Sequence, residues 1–413
     1  LHHPDEEREA CRPLRTAPAY DRQKKLGAQF GQVNGWERPN YFGPVGADEN
    51  FDHQSRSFRR GSWWKYALAE AKAIRNGVGI IDATAFTKHI VKGPGASRFL
   101  DWFTCNKLPK VGRINLTYAL TDAGTTRTEY TIVRLKQDEF YLVSAGAWTD
   151  YDADFLIKSA EDKSPEFGYI EIQDVTSQWG VFAVAGPKSR KFLSQLIRDE
   201  DQDTALSNAR FPWLSFKRVE LAMCPVNAIR VSYTGELGWE LHHPIEMQNY
   251  LFDLLQSAGE KYELKWVGAR AQNWLRQEKS YRAFGTELGR DATPLEADLP
   301  RFVDMSKDFN GKMQMEKIGI RSKCVTFLID GPVDADPWGR EALYTEDGTE
   351  RVGRLTSGGY SVVFEKSIGM GYVKPSYAIE GTKLKVKIQN ALWDAVVTSD
   401  SPYDPKNEKL RDG

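Results

Sequence analysis

The sequence predicts an α+β fold with a small β-barrel at its C-terminal end. Up to about residue 318, β runs joined by glycine turns alternate with segments of helical apolar spacing, the pattern of helices packed on one side of sheets. From Ser322 onward the pattern is almost wholly β, with turn residues about every ten positions, as in a small barrel or sandwich. Length agrees: 413 residues exceed what one hydrophobic core usually organises, so two or three packed domains are expected.

Residues 1–46 show no sustained periodicity. They are rich in Arg, Asp, Glu and Pro, with apolar anchors at Trp36, Tyr41 and Phe42, and predict a connector that wraps over a core. Residues 58–76 place Trp64, Leu68, Ala71 and Ile74 at helical spacing, ended by Gly77-Val78-Gly79. A strand over 78–91 closes at Gly93-Pro94-Gly95, and 96–104 reads as a short helix. Residues 118–135 are two β runs joined through Asp122-Ala123-Gly124, a hairpin signal. A strand at 139–144, a helix at 148–160 and strands at 169–175 and 181–185 follow. Gly186-Pro187 opens a helix to Leu196, with proline near the start, where its missing N–H is harmless. Segments 245–258 and 267–279 are amphipathic helices.

Past a break at 315–322, strands are expected at 323–329, 351–355, 367–373 and 383–388. The polar tail from Ser399 is expected to pack loosely. The organisation predicted is a connector (1–46), a two-lobed region (47–318) and a barrel (319–413).

Composition excludes several classes. Hydrophobic content of 41% and charged content of 27% are ordinary for a globular chain. With a net charge of -1 and no long run of either sign, neither nucleic acid nor an anionic membrane is an expected partner. Apolar runs fall far short of the roughly 20 residues that span a bilayer. The scattered Cys11, Cys105, Cys224 and Cys324 predict free thiols in a reducing compartment, and His2-His3 and His242-His243 form no metal motif. No GxGxxG follows a strand, so no FAD or NAD fold is expected within the chain, and neither a P-loop nor a GxSxG elbow occurs.

Three constellations carry possible chemistry. Residues 231–242, VSYTGELGWELH, read as two short strands about a turn at Thr234-Gly235-Glu236. Alternate strand residues share a face. Tyr233, Trp239, Glu236 and Glu240 could thus set an aromatic wall beside a carboxylate, which holds a flat nitrogen-rich ring by stacking and two N–H bonds. The same residues equally make an ordinary hairpin with solvated glutamates. The second constellation is Glu129, inside a strand after a glycine turn: a general base or stabiliser of positive charge, or else the partner of Arg127 on the same strand face. The third is Arg276 near a helix end, which either clamps an anionic ligand or forms an internal ion pair with Glu278 or another acid.

With the entry segment WERPNYF, the hairpin GRINLTYALTDAGTTRTEYTIVRL, YTGELGWEL, LRQEKSYRAFGTELGRDATPLEADL and the SPYDP tail, the chain resembles, essentially end to end, a known group. This is the folate-binding C-terminal half of sarcosine and dimethylglycine dehydrogenases, homologous to the aminomethyltransferase of the glycine cleavage system. The resemblance implies a three-lobed, ring-like fold with tetrahydrofolate in a central channel. It implies that Tyr233 and Glu240 contact the pterin, with Trp239 and Arg276 as further cofactor-binding residues, and that Glu236 is structural. Glu129 stands where the family usually has an aspartate thought to assist the folate nitrogen that captures the one-carbon unit, and it reaches about one methylene further. Leu116 stands where glycine-cleavage relatives often have tyrosine.

The implied reaction takes formaldehyde or an iminium, derived from a small methylated amine, to 5,10-methylenetetrahydrofolate. The resemblance also implies a fused or associated N-terminal demethylase or dehydrogenase domain, which would hold any FAD or metal. The start at Leu1, without methionine, predicts a processed chain or a piece of a longer one. The alternatives are a non-flavin partner such as a trimethylamine N-oxide demethylase, a free-standing folate-dependent methyltransferase, and a folate-binding module without catalysis. The expected location is cytoplasmic, or the mitochondrial matrix in a eukaryote.

Overall fold

The structure is a computed structural model that describes residues 3, 6–7, 9–46, 57–198, 200 and 202–411. After helix α1 (Tyr20–Lys25), strands β1 (Ala28–Val33) and β2 (Trp36–Phe42) form an antiparallel ribbon. The sequence pattern of the expected connector carries no strand prediction here, and the ribbon lies within it. Asn34 and Gly35 both take positive φ, at 47° and 82°, the conformation a two-residue hairpin turn requires. Tyr41 of β2 joins the core around helix α2 (Trp64–Asn76).

The strand expected over 78–91 is two strands, β3 (Gly79–Asp82) and β4 (Thr87–Lys92), which enter different sheets. Asp82 causes the break: its carboxylate accepts the Thr84 N–H at 2.9 Å, turning the chain out of the ladder. Helix α3 (Ala96–Phe103), β5 (Ile114–Leu120), β6 (Thr126–Lys136), β7 (Glu139–Ser144), α4 (Thr149–Phe167) and β8 (Glu171–Asp174) follow. The first sheet runs β5-β6-β7-β4-β8. One face packs Val91, Tyr130, Ile132, Phe140 and Leu142 on α3 and α4.

The chain continues through β9 (Trp179–Ala185), α5 (Ser189–Ser194), β10 (Phe216–Leu221), β11 (Cys224–Ile229) and β12 (Gly238–Pro244). Then come α6 (Gln248–Gly259), β13 (Lys265–Val267) and α7 (Ala269–Glu278). The second sheet runs β10-β11-β12-β9-β3-β13, with β3 and β13 parallel. The sheets meet through Ile114, Val133, Tyr141 and Val143 of the first and Ile229 of the second.

After helix α8 (Lys312–Ile318) the chain closes a barrel in the order β14-β17-β16-β15-β18-β19. Its strands are β14 (Lys323–Asp330), β15 (Ala342–Thr345), β16 (Arg351–Ser361), β17 (Lys366–Val373), β18 (Lys383–Ile388) and β19 (Ala391–Val397). Gly359 lets β16 approach α7, because a Cβ there would lie 2.3 Å from the Trp274 ring. The fold is thus α+β, two sheet-and-helix lobes and a barrel. Among the described residues no helix is long and apolar enough to cross a membrane.

The tail, which ends in the short helix α9 (Glu408–Arg411), is not loose. The ammonium of Lys279, a buried residue, donates to the carbonyls of Tyr403 (2.9 Å) and Asp404 (2.6 Å) and to Asn407 Oδ1 (2.8 Å). Tyr403 donates its hydroxyl to Glu236 Oε1 at 2.5 Å. A polar tail packs tightly here because a buried cation needs acceptors and backbone carbonyls supply them. Lys279→Met is expected to lower unfolding stability by about 3 kcal/mol, since it strands these acceptors. Urea unfolding monitored by fluorescence measures this; a change below about 0.5 kcal/mol would mean that the tail is not anchored there.

Candidate functional site

Glu129 sits opposite Tyr118 in the β5–β6 ladder. Strand alternation sends its neighbours Thr128 and Tyr130 to the other face, where Tyr130 enters the helical core. Burial pushes the Glu129 carboxyl up to about 7, against the stabilising hydroxyl of Tyr118 and charge of Arg276, while Glu287 adds to the rise. The same-strand pair with Arg127 does not form. Arg127 donates to the Tyr151 carbonyl at 2.7 Å and faces Asp152 at 3.8 Å.

Arg276 is buried in an internal network. Its Nε donates to Asn273 Oδ1 (3.0 Å), Nη1 to the Tyr281 carbonyl (2.8 Å) and Glu287 Oε2 (2.9 Å), and Nη2 to Ser357 Oγ (2.7 Å). With each nitrogen engaged it braces α7 against the barrel, and the free-clamp alternative is corrected. Its acid is Glu287, because Glu278 is taken by Arg75 at 2.5 Å.

Tyr233 lies in an irregular connection. The two short strands expected over 231–242 are not formed: β12 starts only at Gly238, and it pairs with β11 through Asn227↔His242, Ala228↔Leu241 and Ile229↔Glu240. Arg75 draws the connection out of the sheet by binding the Thr234 carbonyl (2.8 Å) and Glu236 (2.9 Å). Gly235, at φ 84°, leaves room for Lys279, whose Cγ lies 2.3 Å from where a Cβ would stand. Glu236 is therefore a buried structural ion-pair partner. Tyr233 donates its hydroxyl to the Arg282 carbonyl at 3.0 Å and stacks on Tyr281, ring centroids 6.0 Å apart and 23° from parallel. Burial raises its pKa, and the charges of Arg276, Glu129 and Glu287 act on it, so these groups share one neighbourhood.

Trp239 and Glu240 are adjacent in β12 and point to opposite sides. Trp239 is 1% exposed and packs among Phe211, Leu237 and Leu241 in the core of the second sheet. It is corrected from a cofactor-binding residue to a core residue. Glu240 stays half-buried, with Oε2 at 3.3 Å from His242 Nε2, and His242 Nδ1 lies 2.9 Å from the Tyr141 hydroxyl.

The structure thus gathers Glu129, Tyr233 and Arg276 in one neighbourhood, leaves Glu240 at the junction with the first sheet, and removes Trp239. Sequence reading missed Tyr118, Tyr141, His242 and Glu287. Two-residue spacing from Glu240 was a usable signal for His242; Tyr141 and Glu287 arrive from distant segments and left none. Among the described residues, Glu240 Oε1 carries no protein hydrogen bond. A half-buried carboxylate with an open oxygen fits a ligand edge that brings N–H donors.

Two family descriptions match the chain: the GCVT N-terminal domain over residues 19–307 and the glycine cleavage T-protein C-terminal barrel domain over 323–404. Mouse mitochondrial dimethylglycine dehydrogenase is 34% identical over 96% of this chain and 44% of its own length. The chain therefore spans about half the length of the dehydrogenase relatives it matches. A probable aminomethyltransferase of Thermococcus kodakarensis is 30% identical over 83% of this chain and 91% of its own length. The crystal structure of the glycine cleavage system aminomethyltransferase T from Bartonella henselae superposes with a TM-score of 0.78 at 23% identity, covering 95% of this chain and 99% of that one, and so shares the fold.

Proposed function

The chain belongs to the glycine cleavage T-protein family, and from that premise we propose that it binds tetrahydrofolate between Glu240 and Glu129 and accepts a one-carbon unit there. Relation to dimethylglycine dehydrogenase supports formaldehyde or an iminium, released from an N-methyl amine, as the unit taken up. Tetrahydrofolate supplies the nucleophilic nitrogens, giving the 5,10-methylene product.

The protein's own residues hold, orient and exchange protons. Glu240 is the acceptor for the ring's amino and N–H donors, a charge-assisted pair of the stronger kind. Tyr233, backed by Tyr281, supplies an aromatic wall. Arg276 positions this wall and Glu129 without touching the ligand. Glu129 carries the reading: a partly buried carboxyl with its pKa pushed up to about 7 can hold or release a proton at neutral pH. As the anion it also stabilises positive charge that develops on the captured unit.

The dehydrogenase relative's greater length supports a preceding amine-oxidising domain, the place for any FAD or metal. The aminomethyltransferase of similar extent favours a second reading, in which the same cleft works as a free-standing transferase.

Glu240→Gln is expected to weaken tetrahydrofolate binding at least about tenfold, the loss of one charge-assisted hydrogen bond. Calorimetry measures this, and an unchanged Kd would remove Glu240 from the site.

Glu129→Gln is expected to slow methylenetetrahydrofolate formation, measured above the spontaneous rate, by about 10²–10⁴-fold, with little change in Kd. In the unsubstituted protein the rate should rise with pH through about 7, as Glu129 ionises. Because its folded pKa is raised, Glu129 contributes stability that is fully present below about pH 4.5 and is lost as pH rises towards 7. The Gln variant should therefore melt higher than its parent at pH 8. A flat pH profile with an unchanged rate would remove Glu129 from the chemical step.

A further inference from the structure

The strand that carries Glu240 also places His242 on the same face, two residues on. His242 is wholly buried between the sheets, and the Tyr141 ring from β7 meets it edge-on, at 83° with centroids 5.4 Å apart. Three polar groups line up: the Tyr141 hydroxyl 2.9 Å from His242 Nδ1, and His242 Nε2 3.3 Å from Glu240 Oε2.

The chemistry of the groups fixes the direction of this chain. Burial holds the His242 pKa below its usual value, so the ring is neutral and has one N–H. Burial and the charge of Glu240 keep the Tyr141 hydroxyl protonated. A carboxylate only accepts, so the N–H belongs on Nε2, facing Glu240, and Nδ1 accepts from Tyr141. The reverse tautomer would set a lone pair against a carboxylate and leave the tyrosine hydroxyl facing an N–H. One lone pair of Oε2 is then occupied, while Oε1 and the other lone pair of Oε2 are left for a ligand.

We propose that His242 and Tyr141 are positioning residues that orient Glu240 as a fixed two-point acceptor, making the site selective for rings that bring two N–H donors on one edge, as a 2-amino-4-oxopyrimidine does. This rests on the reading of Glu240 as the pterin carboxylate and adds the origin of its selectivity. A freely rotating carboxylate on strand β12 would accept one donor or two with less discrimination. A carboxylate tied back through Oε2 loses that freedom before the ligand arrives, so binding orders less.

The test uses the intact chain, tetrahydrofolate and its 2-desamino-2-methyl analogue. In the ligand-free protein, ¹⁵N spectra of the imidazole should show the Nε2–H tautomer for His242, and Tyr141→Phe, which leaves the carboxylate facing Nε2, should keep that tautomer while shifting the Nδ1 resonance as its donor is lost. In calorimetry, His242→Phe should raise the Kd for tetrahydrofolate about tenfold and that for the analogue far less. His242→Gln, which returns an N–H near the Nε2 position, should restore most of the difference. An Nδ1–H tautomer in the unsubstituted protein, or equal losses for both ligands, would overturn the proposal. So would Glu240→Gln weakening binding while His242→Phe leaves it unchanged, and in that case the reading of Glu240 survives. If Glu240→Gln itself has no effect, that reading falls as well.

Discussion

One buried guanidinium ties together the parts that form the site. Arg75, near the end of α2, bonds Glu278 and the Leu275 carbonyl on α7, Glu236 and the Thr234 carbonyl in the connection before β12, and lies over the Tyr403 ring of the tail at 4.1 Å. A charge so enclosed is tolerable only when fully paired. The connection therefore leaves the β11–β12 ladder to supply acceptors, and Tyr233 lands beside Tyr281 and Arg282 instead of on a regular hairpin. The position of the Tyr233 ring thus follows from the demand of a buried cation on another segment.

What the sequence revealed follows from how local each feature is. The β5–β6 hairpin was readable because its turn and alternation lie within one stretch, and that placed Glu129 on a strand. The barrel announced itself through repeated turns, although the short β15 and β19, whose first half is largely exposed, lacked enough apolar contrast to register. Asn34-Gly35 is a strong turn signal masked by a charged, proline-rich surround. The break at Asp82 depended on one side-chain-to-backbone bond within an apolar run. At Trp239 alternation outranks aromatic content: beside Glu240 in a strand, it faces the other way. The tail looked loose because its polarity was read without its partner, Lys279, which arrives from far along the chain.

The acids show how environment assigns roles to like side chains. Burial drives Glu287 up, but Arg276 and the hydroxyls of Ser357 and Thr356 outweigh it, and the carboxyl ends below its ordinary value. Glu129, close enough to feel the same Arg276, is steadied by the Tyr118 hydroxyl and that charge, but burial outweighs both. Two carboxyls in one neighbourhood are pushed apart: one is permanently charged and structural, the other is poised near neutrality. That separation is what acid–base chemistry needs.

The barrel completes this separation. Ser357 and Thr356, both on β16, donate to Glu287 Oε1, and Ser357 also receives Arg276 Nη2. Those hydroxyls help keep Glu287 ionised, and the ionised Glu287 both holds Arg276 and raises the Glu129 pKa by repulsion. A tighter barrel–α7 contact therefore keeps the Glu129 carboxyl basic. The close approach that Gly359 permits, with the Trp274 indole where a Cβ would be, sets how near β16 comes. The Glu129 carboxyl on the first sheet thus depends electrostatically on the barrel, through Glu287 and Arg276.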